Sequence, residues 1–146
     1  MEKINFAASI NAPKEKVWKI LWDDSTYRIW TTPFHEGSHA VTDNWKEGSK
    51  VLFLGPDQSG MVSSVAANRP NEFMSFEHHG EVKDGVEDTT SEKVKGWAGA
   101  KENYTLKENG GVTELKVEMD INADFKEYMM NTWPRAMEEI KRLSEN

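Results

Sequence analysis

The sequence has no cysteine among its 146 residues. Disulfides, thiolate nucleophiles and cysteine-based metal sites are therefore excluded. A chain without thiols fits a reducing compartment. Long apolar runs are also missing: none approaches the roughly 20 residues that a membrane-spanning helix needs. The first residues, Met1-Glu2-Lys3-Ile4-Asn5, lack the apolar core of a secretory signal. A cytoplasmic protein with no membrane insertion is expected. Positive charge is scarce, with 18 Lys and Arg against 25 Asp and Glu and a net charge of -7. The basic residues are scattered, so no nucleic-acid partner is expected. There is no Gly-x-Ser-x-Gly elbow, and Gly96-Trp97-Ala98-Gly99 fits neither the Walker nor the dinucleotide pattern. Neither a cofactor nor a catalytic set is expected.

What the chain does have is large apolar side chains. Six Trp, six Phe, three Tyr and seven Met stand in an otherwise polar sequence. Flat rings and flexible thioethers build either an ordinary core or the wall of an irregular apolar cavity. The length suits one domain, residues 1–146, with a core of its own.

Periodicity orders the elements. Ile4, Phe6, Ala8 and Ile10 alternate on a first strand. Pro13 then opens a helix whose stripe is Val17, Ile20 and Leu21, with Trp18 and Trp22 beside it. Asp23-Asp24-Ser25 caps a second short helix through Tyr27, Ile29 and Trp30, which Thr31-Thr32-Pro33 ends. Short antiparallel strands are predicted from about residue 38 to 121. Among them are Val51–Leu54, Gly60–Ala67 and Phe73–Phe76, with a polar loop over 80–96. Ala100–Lys107 and Val112–Ile121 form a hairpin around Asn109-Gly110. On its second strand Thr113, Leu115, Val117, Met119 and Ile121 face one way and Glu114, Lys116, Glu118 and Asp120 the other. That is the pattern of a sheet covered on one face. A long helix closes the chain from about Asp124 to Leu143. Its stripe is Phe125, Met129, Thr132 or Trp133, Ala136, Ile140 and Leu143, and Pro134 predicts a kink. The class is α+β, and a curved sheet gripping a helix tends to enclose a cavity.

The polar candidates are few. His78 and His79 are adjacent on a strand and point to opposite faces, so one metal cannot easily take both. His35 and His39 have helical ligand spacing, but Gly37 and Pro33 oppose a helix. No metal site is expected. His78 should face inward with Met74 and Phe76. Glu102 and Tyr104 share a face at period two and lie near Trp97. A buried carboxylate beside a phenol suits a general acid/base pair or a contact to a polar ligand group, and a solvent-facing Glu102 is the alternative.

Ile10-Asn11-Ala12-Pro13-Lys14-Glu15-Lys16-Val17-Trp18 resembles the entry motif of the START/SRPBCC superfamily. It is most similar to the bacterial branch related to the activator of the heat-shock-protein-90 ATPase. The resemblance continues through Trp45-Lys46-Glu47-Gly48-Ser49-Lys50-Val51, Gly60-Met61-Val62, Pro70-Asn71-Glu72-Phe73, Gly85-Val86-Glu87-Asp88 and Glu102-Asn103-Tyr104-Thr105-Leu106. Gly110-Gly111-Val112-Thr113-Glu114-Leu115 and Thr132-Trp133-Pro134 complete it. It implies a helix-grip fold, a curved antiparallel sheet around a long C-terminal helix, with two short helices after the first strand and an internal cavity. Members include lipid and hormone binders, polyketide cyclases and aromatases, and a eukaryotic co-chaperone. None of their catalytic residues has a counterpart here.

The leading expectation is a container for a small hydrophobic or aromatic molecule. Trp30, Phe53, Phe76, Trp97, Met119, Met129 and Trp133 would bury it, and His78 and Tyr104 would orient it. The alternatives are a cyclase- or hydrolase-like enzyme using Glu102, Tyr104 or His78, and a module that binds a protein partner.

Overall fold

The computed structural model describes residues 1–146. The chain runs β1 (Glu2–Ile10), α1 (Lys14–Trp22), α2 (Asp24–Trp30), β2 (His39–Thr42), β3 (Lys50–Leu54), β4 (Gly60–Arg69) and β5 (Phe73–Lys83). It continues through β6 (Val86–Asp88), α3 (Glu92–Lys95), β7 (Ala100–Asn109), β8 (Val112–Ile121) and α4 (Ala123–Glu145). All strand pairs are antiparallel, in the order β1-β8-β7-β5-β4-β3-β2, and β6 adds to the end of β5. This is the helix-grip α+β architecture: a curved open sheet, two short helices after the first strand and a long C-terminal helix.

The β7–β8 hairpin turns on Gly110-Gly111, with Asn109 opposite Val112. Both glycines have positive φ, 61° and 83°. A two-residue turn that matches the strands' twist requires that sign at both positions. On β8 the alternation holds: Thr113, Leu115, Val117, Met119 and Ile121 are all buried. α4 covers this side of the sheet. Trp133, Ala136 and Ile140 are buried in the same cluster as Ile4, Leu115 and Val117, and Met129 packs against it. The helix runs unbroken through Pro134. Its far end is tied to the first strand, since Lys141 Nζ donates to the Ser9 carbonyl at 2.9 Å and Glu145 Oε2 accepts from the Asn11 amide at 2.9 Å.

Two expectations are corrected. Phe125 lies on the predicted stripe but is 57 % exposed. Periodicity says which residues share a helix face, not how far the cover extends, and the first turn of α4 reaches beyond it. Residues 80–96 are not a loop either. β5 continues to Lys83, β6 folds back onto it, and Ser91 caps the one-turn α3 by accepting from the Val94 amide. Gly80 makes this return possible, because a Cβ there would lie 2.1 Å from the Asp88 carbonyl oxygen.

Two irregularities separate β4 from β5. The pairing shifts between Val62 and Ser63, and again between Val65 and Ala67. The first shift sets Val62 opposite Gly80 and Ser63 opposite His78. Neighbours on a strand face opposite ways. Val62 accordingly joins Leu54 and Val82 in a small cluster separate from the main core, while Ser63 turns with His78 to the inner face.

Candidate ligand-binding cavity

Between the β3–β5 part of the sheet, α2 and the middle of α4 lies a cavity of about 470 Å³. Its deep walls are aromatic. Tyr27 and Trp30 share one face of α2 at i, i+3, with ring centroids 5.2 Å apart. The Trp30 indole donates to the Leu21 carbonyl at 3.1 Å, which fixes the ring. Trp133 reaches in from α4, 5.9 Å from Trp30 and 6.0 Å from Tyr104. Phe53 closes the sheet side, 6.0 Å from the His78 ring. Phe34, His35, Ser38 and His39 from the α2–β2 connection and the start of β2, Asp57 and Ser59 from the β3–β4 turn, and Met129 also line it. His35 and Asp57 are exposed and mark the rim. Tyr128 donates to the Phe34 carbonyl at 2.6 Å, tying α4 to that rim.

One polar chain enters this aromatic wall. Ser63 Oγ lies 2.6 Å from His78 Nδ1, and His78 Nε2 lies 3.2 Å from Glu102 Oε1. The Tyr104 hydroxyl donates to Glu102 Oε2 at 2.5 Å. The four side chains come from three strands. The register shift in β4 brings Ser63 to His78, and β7 lies beside β5 with Ala100 opposite His78 and Glu102 opposite Phe76. His78 is 5 % and Tyr104 2 % exposed, whereas the Glu102 side chain is 21 % exposed, into the cavity it lines.

Burial pushes the Glu102 carboxyl up. The hydrogen bond and charge of His78 and the hydrogen bond from Tyr104 outweigh that push and hold it below the ordinary carboxylate range. Burial, the Glu102 charge and the hydrogen bond to it drive the Tyr104 phenol well above its usual value. At neutral pH the floor of the cavity is therefore a carboxylate with a protonated phenol beside it.

Ser63, His78 and Glu102 stand in the order of a nucleophile–imidazole–carboxylate relay. Ser63, however, is 1 % exposed and takes no part in the cavity wall, so its hydroxyl cannot meet a substrate. Acyl transfer through it is excluded on access, since a nucleophile must reach the reacting atom. No three His, Asp or Glu side chains converge as a metal-binding group.

Of the nine residues read as lining, six surround the cavity: Trp30, Phe53, His78, Tyr104, Met129 and Trp133. The other three do not. Phe76 is 0 % exposed, sealed by the rings of Trp22, Trp45, Phe53 and Tyr104. Met119, opposite Glu102 in register, is enclosed within the core cluster. Trp97 sits in the turn between α3 and β7, where the chain has left the sheet and rejoins it only at Ala100. Period-two reasoning does not apply in a turn. Tyr27 is a wall residue missing from the sequence reading, although its i, i+3 spacing from Trp30 carries the signal. Ser63 had no signal, because a register shift decides its partner.

No family model matches the sequence, and no curated protein matches it. Solved structures do match the fold. The Aha1 dimer from Colwellia psychrerythraea superposes with a TM-score of 0.73 at 18% identity, over 99% of this chain and 97% of that one. Protein MLL2253 from Mesorhizobium loti gives 0.73 at 16% identity, over 97% and 96%. CalU16 from Micromonospora echinospora gives 0.68 at 15% identity, over 97% and 74%. The chain thus shares its helix-grip fold with these structures, the fold that the sequence motifs imply.

Proposed function

We propose that this START/SRPBCC-fold chain is a container that binds one small hydrophobic or aromatic molecule between its sheet and α4. The observation that supports this reading is the cavity of about 470 Å³, walled by the rings of Tyr27, Trp30, Phe53, Tyr104 and Trp133 with one polar chain at its floor. That volume lies within the range of small-molecule sites, and apolar walls with a few convergent polar groups are what such sites use. Buried rings supply the affinity, and the polar chain sets orientation.

Native mass spectrometry of protein purified from its own host tests the reading directly, with an adduct of stoichiometry one as the expected result. In parallel, an environment-sensitive hydrophobic dye should bind one to one and raise the melting temperature, because a ligand that prefers the native state stabilises it by mass action. A chain that no ligand class stabilises would not be a container. An interaction module would then lead, with Phe125, Tyr128 and Met130 as the exposed apolar residues of α4.

The Ser63–His78–Glu102–Tyr104 chain supports a second reading, in which Glu102 and Tyr104 act as base and acid on a bound ligand. Turnover that Glu102→Gln abolishes while binding persists would decide for that enzyme.

A further inference from the structure

Besides the three histidines His35, His39 and His78, the permanent charges lining the cavity are of one sign. Glu102 at the floor and Asp57 at the rim are its acidic residues, and no Lys or Arg lines it. The basic side chains closest in sequence to lining residues are engaged outside it: Lys101 pairs with Glu77 at 2.8 Å, Arg28 with Asp24 at 2.9 Å, and Arg135 donates to the Pro33 carbonyl at 3.4 Å. An ionised carboxylate facing an apolar space without a permanent cation is costly, and a ligand that brings one relieves that cost. Glu102 also has acceptor capacity left. Each of its oxygens accepts one hydrogen bond, from His78 and from Tyr104. A carboxylate has about four lone-pair sites, so the cavity-facing side can take further donors and can offer none. The rings of Tyr27, Trp30, Phe53 and Trp133 line the same cavity. Aromatic faces attract cations, and more strongly where water is excluded.

Building on the container reading, we propose that the ligand is a flat aromatic or hydrophobic molecule carrying a protonated amine, with the ammonium on Glu102 and its body between the rings of Trp30, Phe53 and Trp133. Ligands with a carboxylate, sulfate or phosphate head are rejected, because the cavity has no Lys or Arg to hold one and would set the anion against Glu102.

Three probes with one shared body test this: naphthylmethylammonium, naphthylmethanol and naphthoate, titrated calorimetrically into the wild-type protein. The ammonium should bind about tenfold or more tightly than the alcohol, from a charge-assisted hydrogen bond together with ring–cation attraction. Naphthoate should bind weakest. Glu102→Gln should remove the preference and bring the ammonium down to the level of the alcohol, since the ionised contact is lost. Asp57→Asn, at the exposed rim, should keep the preference. An ammonium that binds no better than the alcohol, or a naphthoate that binds best, overturns the charge inference and leaves the container standing. A preference that survives Glu102→Gln overturns the role given to Glu102. If none of the three probes binds, the charge inference and the container reading both fall. Should Glu102→Gln fail to fold, the wild-type ranking still decides.

Discussion

The two sides of the sheet are built to different rules. On β1 and β8 the register runs without interruption from Glu2 opposite Ile121 to Ile10 opposite Thr113. The inner residues there are apolar apart from Thr113, and α4 covers them. On β4 and β5 the register breaks twice, a serine and a histidine face inward, and the space above them stays open. One side of the molecule makes the fold and the other makes the site. A continuous ladder presents one residue type per face and can be packed to closure. A shifted ladder changes which side chains meet, and so can aim a polar group into an apolar wall.

The contrast is tested most severely on the packed side. Removing α4 after Glu127 uncovers the whole inner face, and the remaining chain should show no cooperative unfolding transition by circular dichroism. A truncated product that melts cooperatively would refute the arrangement. Less drastic is Ile140→Ala, at a residue that is 0 % exposed. It should cost about 2–5 kcal/mol in urea unfolding and leave probe affinity in the cavity unchanged while the protein is folded.

On the site side, effects should be smaller on stability and larger on binding. Tyr104→Phe removes one hydrogen bond to an ionised group and keeps the ring, so it should cost about 1.5–3 kcal/mol. The same variant should weaken ligands that contact Glu102. The smallest expected effect is in pH. Glu102 is held below its ordinary value of 4.5, against burial, by His78 and Tyr104. A depressed carboxylate adds stability that is complete above the unfolded value and is lost as pH falls through the lower folded one. Melting temperatures of the wild type and Glu102→Gln, recorded from about pH 6 down to about pH 3, should therefore converge toward the acid end. A constant difference between them would show that Glu102 is not held in its charged form.

Much of the molecule could be read before folding. The alternation of Thr113 to Ile121 and the stripe Met129-Trp133-Ala136-Ile140 are local patterns, and a local pattern is enough to say which face is buried; the Asn109-Gly110 signal marked the hairpin, which turns one residue later on Gly110-Gly111. The shared face of Glu102 and Tyr104 was legible for the same reason. Three other features were not. Gly80 reads as a loop residue, yet it is a strand position emptied to admit β6. Phe76 and Met119 have inward-facing strand positions, but facing inward does not distinguish a cavity wall from a sealed core. Ser63 carries no pattern at all.

By itself, then, the sequence determined the order of the main elements outside residues 80–96, the buried face of the strongly periodic ones, and the lack of a thiol, of an apolar helix long enough to span a membrane and of a phosphate-loop motif. These follow from backbone period and side-chain type within a few residues. The tertiary structure alone decided that His78 meets Ser63 and Glu102, that Tyr27 joins the wall while Trp97 stays out, and that no Lys or Arg lines the cavity. Those are contacts between residues 15 to 24 positions apart or more. They depend on strand register and on where a helix stops covering a sheet, neither of which any single stretch of chain encodes.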